Sequence, residues 1–130
     1  MHQSIINFTN IQNSIKENQE KTNNKNNIKI IAVSKTFEIS HINPLIDYGH
    51  TDFGENKVQE AIEKWSDIKH KNQNLSLHLV GKLQSNKTKL ALKIFDYIHS
   101  LDSEKLANKI SEEQKKINKK PKLFIQVNIG

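Results

Sequence analysis

The sequence predicts an α/β protein: a partial (β/α)8 TIM barrel of about five parallel strands, preceded by an extra N-terminal helix. Three observations carry this. Runs of β-favouring residues alternate with segments of helical periodicity, and parallel neighbours need such crossover connections. The turn after the first run, "SKTFEIS", contains no glycine, unlike the glycine-rich phosphate loop that commonly follows the first strand of a doubly wound sheet. Polar residues also gather after the strand-like runs, where β/α barrels concentrate their chemistry: Ser34 and Lys35, Glu55 and Asn56, Gly81, Ser100 and Asp102, and Asn128.

Taken in order, Phe8, Ile11 and Ile15 lie at helical spacing, and the polar "EKTNNKNN" reads as a connector. Ile28 to Val33 form the first strand-like run. Ser40 is then a candidate helix cap, with Pro44 in the first turn and Gly49 at the left-handed position past the end. "HTDFGEN" reads as a short strand or turn. Val58, Ala61, Ile62, Trp65 and Ile68 share one face of a helix reaching about Lys69. "LSLHLVG" alternates as a strand, and "SNKTKLALKIF" as a helix that Ser85 or Asn86 would cap, although a helix N-terminus is also an anion site. "DYIHSLD" is the fourth strand, and Asp102 or Ser103 begins a helix with Leu106, Ala107, Ile110 and Ile117 on its buried stripe, ended by Pro121. "KLFIQVNIG" is the fifth strand.

Composition narrows the classes. With 130 residues, 26% charged and 35% hydrophobic, the chain is expected to form one globular domain, 1–130. The absence of cysteine excludes disulfides, thiolate metal sites and a cysteine nucleophile. The histidines show no metal-ligand spacing, so no metal site is expected. No stretch approaches the roughly 20 apolar residues that span a bilayer, and no leader pattern opens the chain, so a cytoplasmic protein without membrane contact is expected. The net charge of +6 invites a nucleic-acid reading. Every basic residue is lysine, however, and the densest run, "KKINKKPK", falls at a helix end where the dipole favours cations. No nucleic-acid partner is therefore expected.

Lys35 poses the sharpest question. It ends a run that looks buried on both faces, with no acidic neighbour in sequence. On a strand it shares a face with Ile31 and Val33, so its ammonium projects toward whatever the barrel rim encloses. An arbitrary lysine there snorkels to solvent. One enclosed by apolar groups is more readily neutral, and a neutral amine attacks carbonyls to form a Schiff base. His78 opposes Leu77 and Leu79 in phase, so it is either an inner-face residue or a satisfied core histidine. Trp65 reads as core.

Four strings in order, "AVSKT" at 32–36, "FGEN" with "VQE" at 53–60, "GKLQSNK" at 81–87 and "IQVNIG" at 125–130, resemble the YggS/PROSC family of pyridoxal 5′-phosphate homeostasis proteins. That family is similar to the N-terminal barrel domain of alanine racemase. The resemblance implies a (β/α)8 barrel carrying pyridoxal phosphate (PLP) as a Schiff base on Lys35, with Asn56 beside the cofactor. Ser34, by its strand-end position, and His78, by its alternation phase, are further possible contacts, and no catalytic residue is expected. Members are described as holding, buffering or delivering the cofactor, with PLP-dependent apoenzymes as possible recipients and without demonstrated turnover. Lys82 departs from the proline that many members carry. The family's phosphate-binding elements, a serine segment and an arginine/glycine segment in its last strands, lie outside these 130 residues.

A complete barrel takes roughly 200 residues or more, so the sequence reads as C-terminally truncated. Two expectations follow: weak cofactor binding, or none, by these residues alone, and self-association through the open barrel edge. The alternatives are a racemase-like PLP enzyme, which needs a second acid/base group, and a non-functional fragment of a longer gene.

Overall fold

The computed structural model describes residues 1–130, which form two compact units. The first comprises residues 1–30 and 37–50 and holds helices α1 (Gln3–Lys21) and α2 (Ile39–Tyr48). Phe8 is its buried anchor, edge-on to Tyr48 at 6.1 Å and tilted against His50 at 4.5 Å. Gly49 closes α2 at φ 108°, donating its N–H to Ile46 O, while the His50 N–H reaches Leu45 O. That conformation suits glycine, as the sequence predicts. Ser40 is not the cap: the helix starts one residue earlier, after Glu38, and Pro44 falls in its second turn.

The second unit, residues 31–36 and 51–130, carries the sheet. Its strands are β1 (Ala32–Val33), β2 (Asp52–Glu55), β3 (Ser76–Leu79), β4 (Tyr97–Leu101) and β5 (Lys122–Ile125). All neighbours are parallel and lie in chain order, β1-β2-β3-β4-β5. Sequential order without reversal is that of a β/α barrel rather than a doubly wound sheet, because every crossover moves one strand in the same direction. Helices α3 (Val58–Lys71), α4 (Thr88–Ile94) and α5 (Glu104–Ile117) are the crossovers within this unit.

Alternation divides the sheet into two faces. Phe53, Glu55, Leu77, Leu79, Ile98 and Ser100 are buried on the helix side, where Trp65 of α3 tilts against Phe53 at 5.0 Å. Burying each large side chain of this kind contributes about 1.5–3 kcal/mol. The other face carries Val33, Gly54, His78, Tyr97, His99 and Phe124, and here the rings stack: His78 on Tyr97 at 4.1 Å and His99 on Phe124 at 4.6 Å. No helix is long and apolar enough to cross a membrane.

Several element ends differ from expectation. The first strand is two residues, not six, because β2 begins only at Asp52 and Ala32 pairs with Phe53, so Ile31 already falls level with the first residue of β2 and residues 28–30 have no β2 residue opposite them. It is not buried on both faces either: Val33 is 48% exposed. Neither Ser85 nor Asn86 caps a helix, since Ser85–Lys87 coil into a 3₁₀ turn ahead of α4 and no side chain caps either element. Ser103 does cap α5, accepting the Leu106 N–H at 3.2 Å. That helix ends at Asn118, left-handed at φ 51°, before Pro121 is reached. Its buried stripe runs through Leu106, Ile110 and Glu113, whereas Ala107 and Ile117 are only half-buried. Burial opposes ionisation of Glu113, but hydrogen bonds from Lys109 and Lys116 outweigh it and hold the carboxyl below its usual range.

Candidate functional site

Lys35 lies two residues past the end of β1, after Ser34. The Ser34 N–H donates to Gly54 O at 2.8 Å and extends the ladder; beyond it the chain turns away. Lys35 and Thr36 form that turn, both exposed, with Thr36 at φ 66° and its hydroxyl donating to Lys35 O at 2.6 Å. A β-branched residue in this conformation is strained by about 1–3 kcal/mol, and such strain persists where the surroundings over-determine it. The apolar enclosure expected around the Lys35 ammonium is not supplied by these residues, because the side chain is exposed.

Ser34 points the other way. It is buried, and its hydroxyl donates to the Glu55 carboxylate at 2.5 Å, with Gly54 O at 3.2 Å. Glu55 is fully buried on the helix side of β2 and also accepts from Trp65 Nε1 at 3.0 Å and Lys64 Nζ at 3.1 Å. A buried carboxylate needs such donors, since an ion stripped of water without partners is strongly unfavourable. Lys64 in turn donates to Ser34 O at 2.8 Å and to Glu60 Oε1 at 3.2 Å. Glu60 closes the circuit by accepting the Thr36 N–H at 2.7 Å. That amide is the main reason its carboxyl lies below the usual range; slight burial opposes the effect and Lys64 reinforces it.

Asn56 lies just past β2, half-buried. It and Lys35 each stand two residues beyond the paired Val33 and Gly54, so the two fall at the same end of adjacent strands. Gly81, just past β3, abuts Asn56 so closely that a Cβ there would come 2.5 Å from Asn56 O. An open groove next to them is lined by Asn56, Lys57, Gln59, Gly81, Lys82 and Lys87.

His78 sits lower, opposite Gly54 and Tyr97. Its Nε2 lies 2.9 Å from Asp52 Oδ1 and its Nδ1 2.9 Å from His99 Nε2. An ionised carboxylate only accepts, so Nε2 donates to Asp52, while the direction of the Nδ1–His99 bond follows the protonation of the two rings. Both sequence readings of His78 therefore hold: it faces away from the helices and is fully hydrogen-bonded. Burial, followed by the neighbouring His78, pushes the His99 imidazole below its ordinary value.

Lys35, Ser34 and Asn56 are thus gathered at one set of strand ends, and His78 is engaged below them. Sequence reasoning placed Glu55 among the polar strand-end residues and weighed His78, but it did not single out Glu60, Lys64 or the bonds that join His78 to Asp52 and His99. The available signals were a glutamate inside a buried strand and an acid–lysine pair four residues apart on α3.

The family pattern described as "Alanine racemase, N-terminal domain" matches residues 6–130. A "Pyridoxal phosphate homeostasis protein" of Haemophilus influenzae strain Rd is 43% identical over 113 residues, covering 86% of this chain and 47% of its own length. The protein of the same name from Pasteurella multocida is 39% identical, with coverage of 93% and 51%. The chain spans about half the length of the curated relatives it matches. Among solved structures, PipY of Synechococcus elongatus PCC7942, determined without and with PLP bound, superposes with a TM-score of 0.75 at 37% identity, covering 88% of this chain and 54% of that one. With its sequential parallel sheet and a family match running almost end to end, this chain belongs to the alanine racemase N-terminal domain family.

Proposed function

We propose that this chain takes part in pyridoxal 5′-phosphate homeostasis, holding the cofactor covalently on Lys35 with Asn56 beside it and carrying out no turnover of its own. The observation that carries the reading is the placement of an exposed primary amine at the end of β1, level with the Asn56 amide at the end of β2. The donor chemistry fits the ligand: an accessible amine suits a formyl carbon, and Lys57, Lys82 and Lys87 around the adjoining groove suit an anionic group. When bound, the cofactor supplies an aldehyde whose conjugated ring stabilises the resulting C=N bond. Lys35 would hold that carbon through its neutral amine, with one water lost, and Asn56 would lie beside it. Names and structures of relatives support the cofactor class, since PipY is described with PLP bound.

Borohydride reduction of the chain incubated with PLP, followed by peptide mass mapping, tests the reading. Lys35 is expected to take the label ahead of the other lysines, and labelling spread evenly among them would overturn it. An amino-acid racemisation assay checks the absence of turnover: activity that disappears in Lys35→Ala would replace the holding role by an enzymatic one. Delivery to PLP-dependent apoenzymes and self-association along β5, where Phe124 and Ile125 are exposed, complete the proposal; sedimentation velocity at rising concentration reads the second.

A further inference from the structure

Lys35 lies in an exposed turn with no glycine, yet both peptide groups that flank it are held by side chains of one helix. On the N-terminal side, Lys64 Nζ donates to Ser34 O at 2.8 Å. On the C-terminal side, Glu60 Oε1 accepts from the Thr36 N–H at 2.7 Å. Glu60 and Lys64 are four residues apart, hence on one face of α3, and bond to each other at 3.2 Å. Lys64 is only 10% exposed and is anchored from beneath by the buried Glu55, which also holds the Ser34 hydroxyl. We infer that Glu60 and Lys64 are positioning residues that fix the backbone on either side of Lys35 and so aim its amine.

Two features distinguish this from ordinary loop closure. The clamp spans the one residue to which the proposed function gives chemistry, and it bonds the amide of Thr36, the residue whose left-handed conformation needs outside support. A lysine side chain has four rotatable bonds, so the direction of its stem is set by the backbone that carries it, and small misplacements of a reacting group carry large rate penalties. Glu60 stays ionised well into the acid range, so the clamp is closed wherever a lysine amine can react.

The inference rests on the proposed role of Lys35, and its test separates the two. Wild-type chain, Glu60→Ala, Glu60→Gln and Lys64→Arg are treated with PLP and borohydride, and in parallel with formaldehyde and borohydride, which methylates any accessible amine. The label at Lys35 is scored against the other lysines. Glu60→Ala is expected to lower the Lys35 share of the PLP label by about tenfold, while the remaining lysines keep their pattern. Glu60→Gln, which keeps an acceptor for Thr36, and Lys64→Arg, which keeps a donor for Ser34 O, are expected to restore most of it. Hydrogen exchange at the Thr36 amide is expected to accelerate in Glu60→Ala and to stay slow in Glu60→Gln. A wild-type chain with no preference for Lys35 would defeat the proposed function; the clamp is then decided by the methylation pattern and Thr36 exchange. Unchanged Lys35 reactivity together with unchanged Thr36 exchange in Glu60→Ala would overturn the clamp.

Discussion

The backbone of Asn56 occupies the space that a side chain at Gly81 would need. A Cβ on Gly81 would lie 2.5 Å from Asn56 O and 3.0 Å from its Cα, and those atoms are main chain, so neither can swing aside. Gly81 is therefore required for close approach of two strand ends rather than for an unusual φ. Gly81→Ala is expected to cost about 1–3 kcal/mol by overpacking and to push Asn56 from its place. Urea denaturation reads the first effect and PLP labelling at Lys35 the second; a variant as stable as wild type would show that the loop yields freely.

Trp65 offers a cleaner test of the buried carboxylate. Its ring packs on Phe53, and its Nε1–H donates to Glu55, which is wholly removed from solvent. Trp65→Phe retains an aromatic ring and deletes the donor. The expected loss is about 1.5–3 kcal/mol, the usual range for a hydrogen bond to a charged group, plus a contribution from the smaller ring. Pairing it with Glu55→Gln, which keeps an acceptor oxygen but removes the charge, in a double-mutant cycle isolates the charge-assisted part of the hydrogen bond, and additive effects would mean that the charge of Glu55 contributes nothing to the Trp65 contact.

The fold was legible because its signals are periodic and local. The alternation in "LSLHLVG" and the helical spacing of Val58, Ala61 and Trp65 each report which face is buried, and β3 and α3 formed where those patterns lie. The start of β1 was less legible, since Ile28 to Ile30 have the composition of a strand but lie before the first β2 residue in register. Composition cannot report whether a partner is available. The clamp on the Lys35 turn was hidden for a related reason: Ser34 and Lys64, or Thr36 and Glu60, are far apart in sequence and meet only once β1, β2 and α3 have assembled. Asn118 shows a third limit, because Pro121 marked the helix end correctly in kind while the left-handed asparagine before it set the position.

Gly49 separates backbone conformation from packing. It closes α2 at φ 108°, and no atom lies within 4 Å of where its Cβ would be. Gly49→Ala meets no steric neighbour, so any loss comes from the conformation itself and is expected to be about 1–2 kcal/mol. Thermal denaturation monitored by circular dichroism measures it; an unchanged midpoint would mean that the cap relaxes to negative φ at no cost.

His99 makes stability depend on pH in a definite direction. Its imidazole is pushed below the ordinary value of 6.5, first by burial and then by His78, whose other nitrogen bonds Asp52. Tyr97 and Phe124 complete its aromatic surroundings. The unfolded chain takes up this proton at higher pH than the folded chain does, so acidification favours the unfolded state. The contribution of His99 is fully present above 6.5 and is lost as pH falls from there through the lower folded value. Denaturation midpoints measured from pH 7.5 down to 5.5 are therefore expected to drop. His99→Gln removes the titrating group while keeping an amide that can bond His78, so it is expected to flatten that slope. If wild type and variant lose stability in parallel, another group governs the acid response and the His78–His99 hydrogen bond does not transmit it.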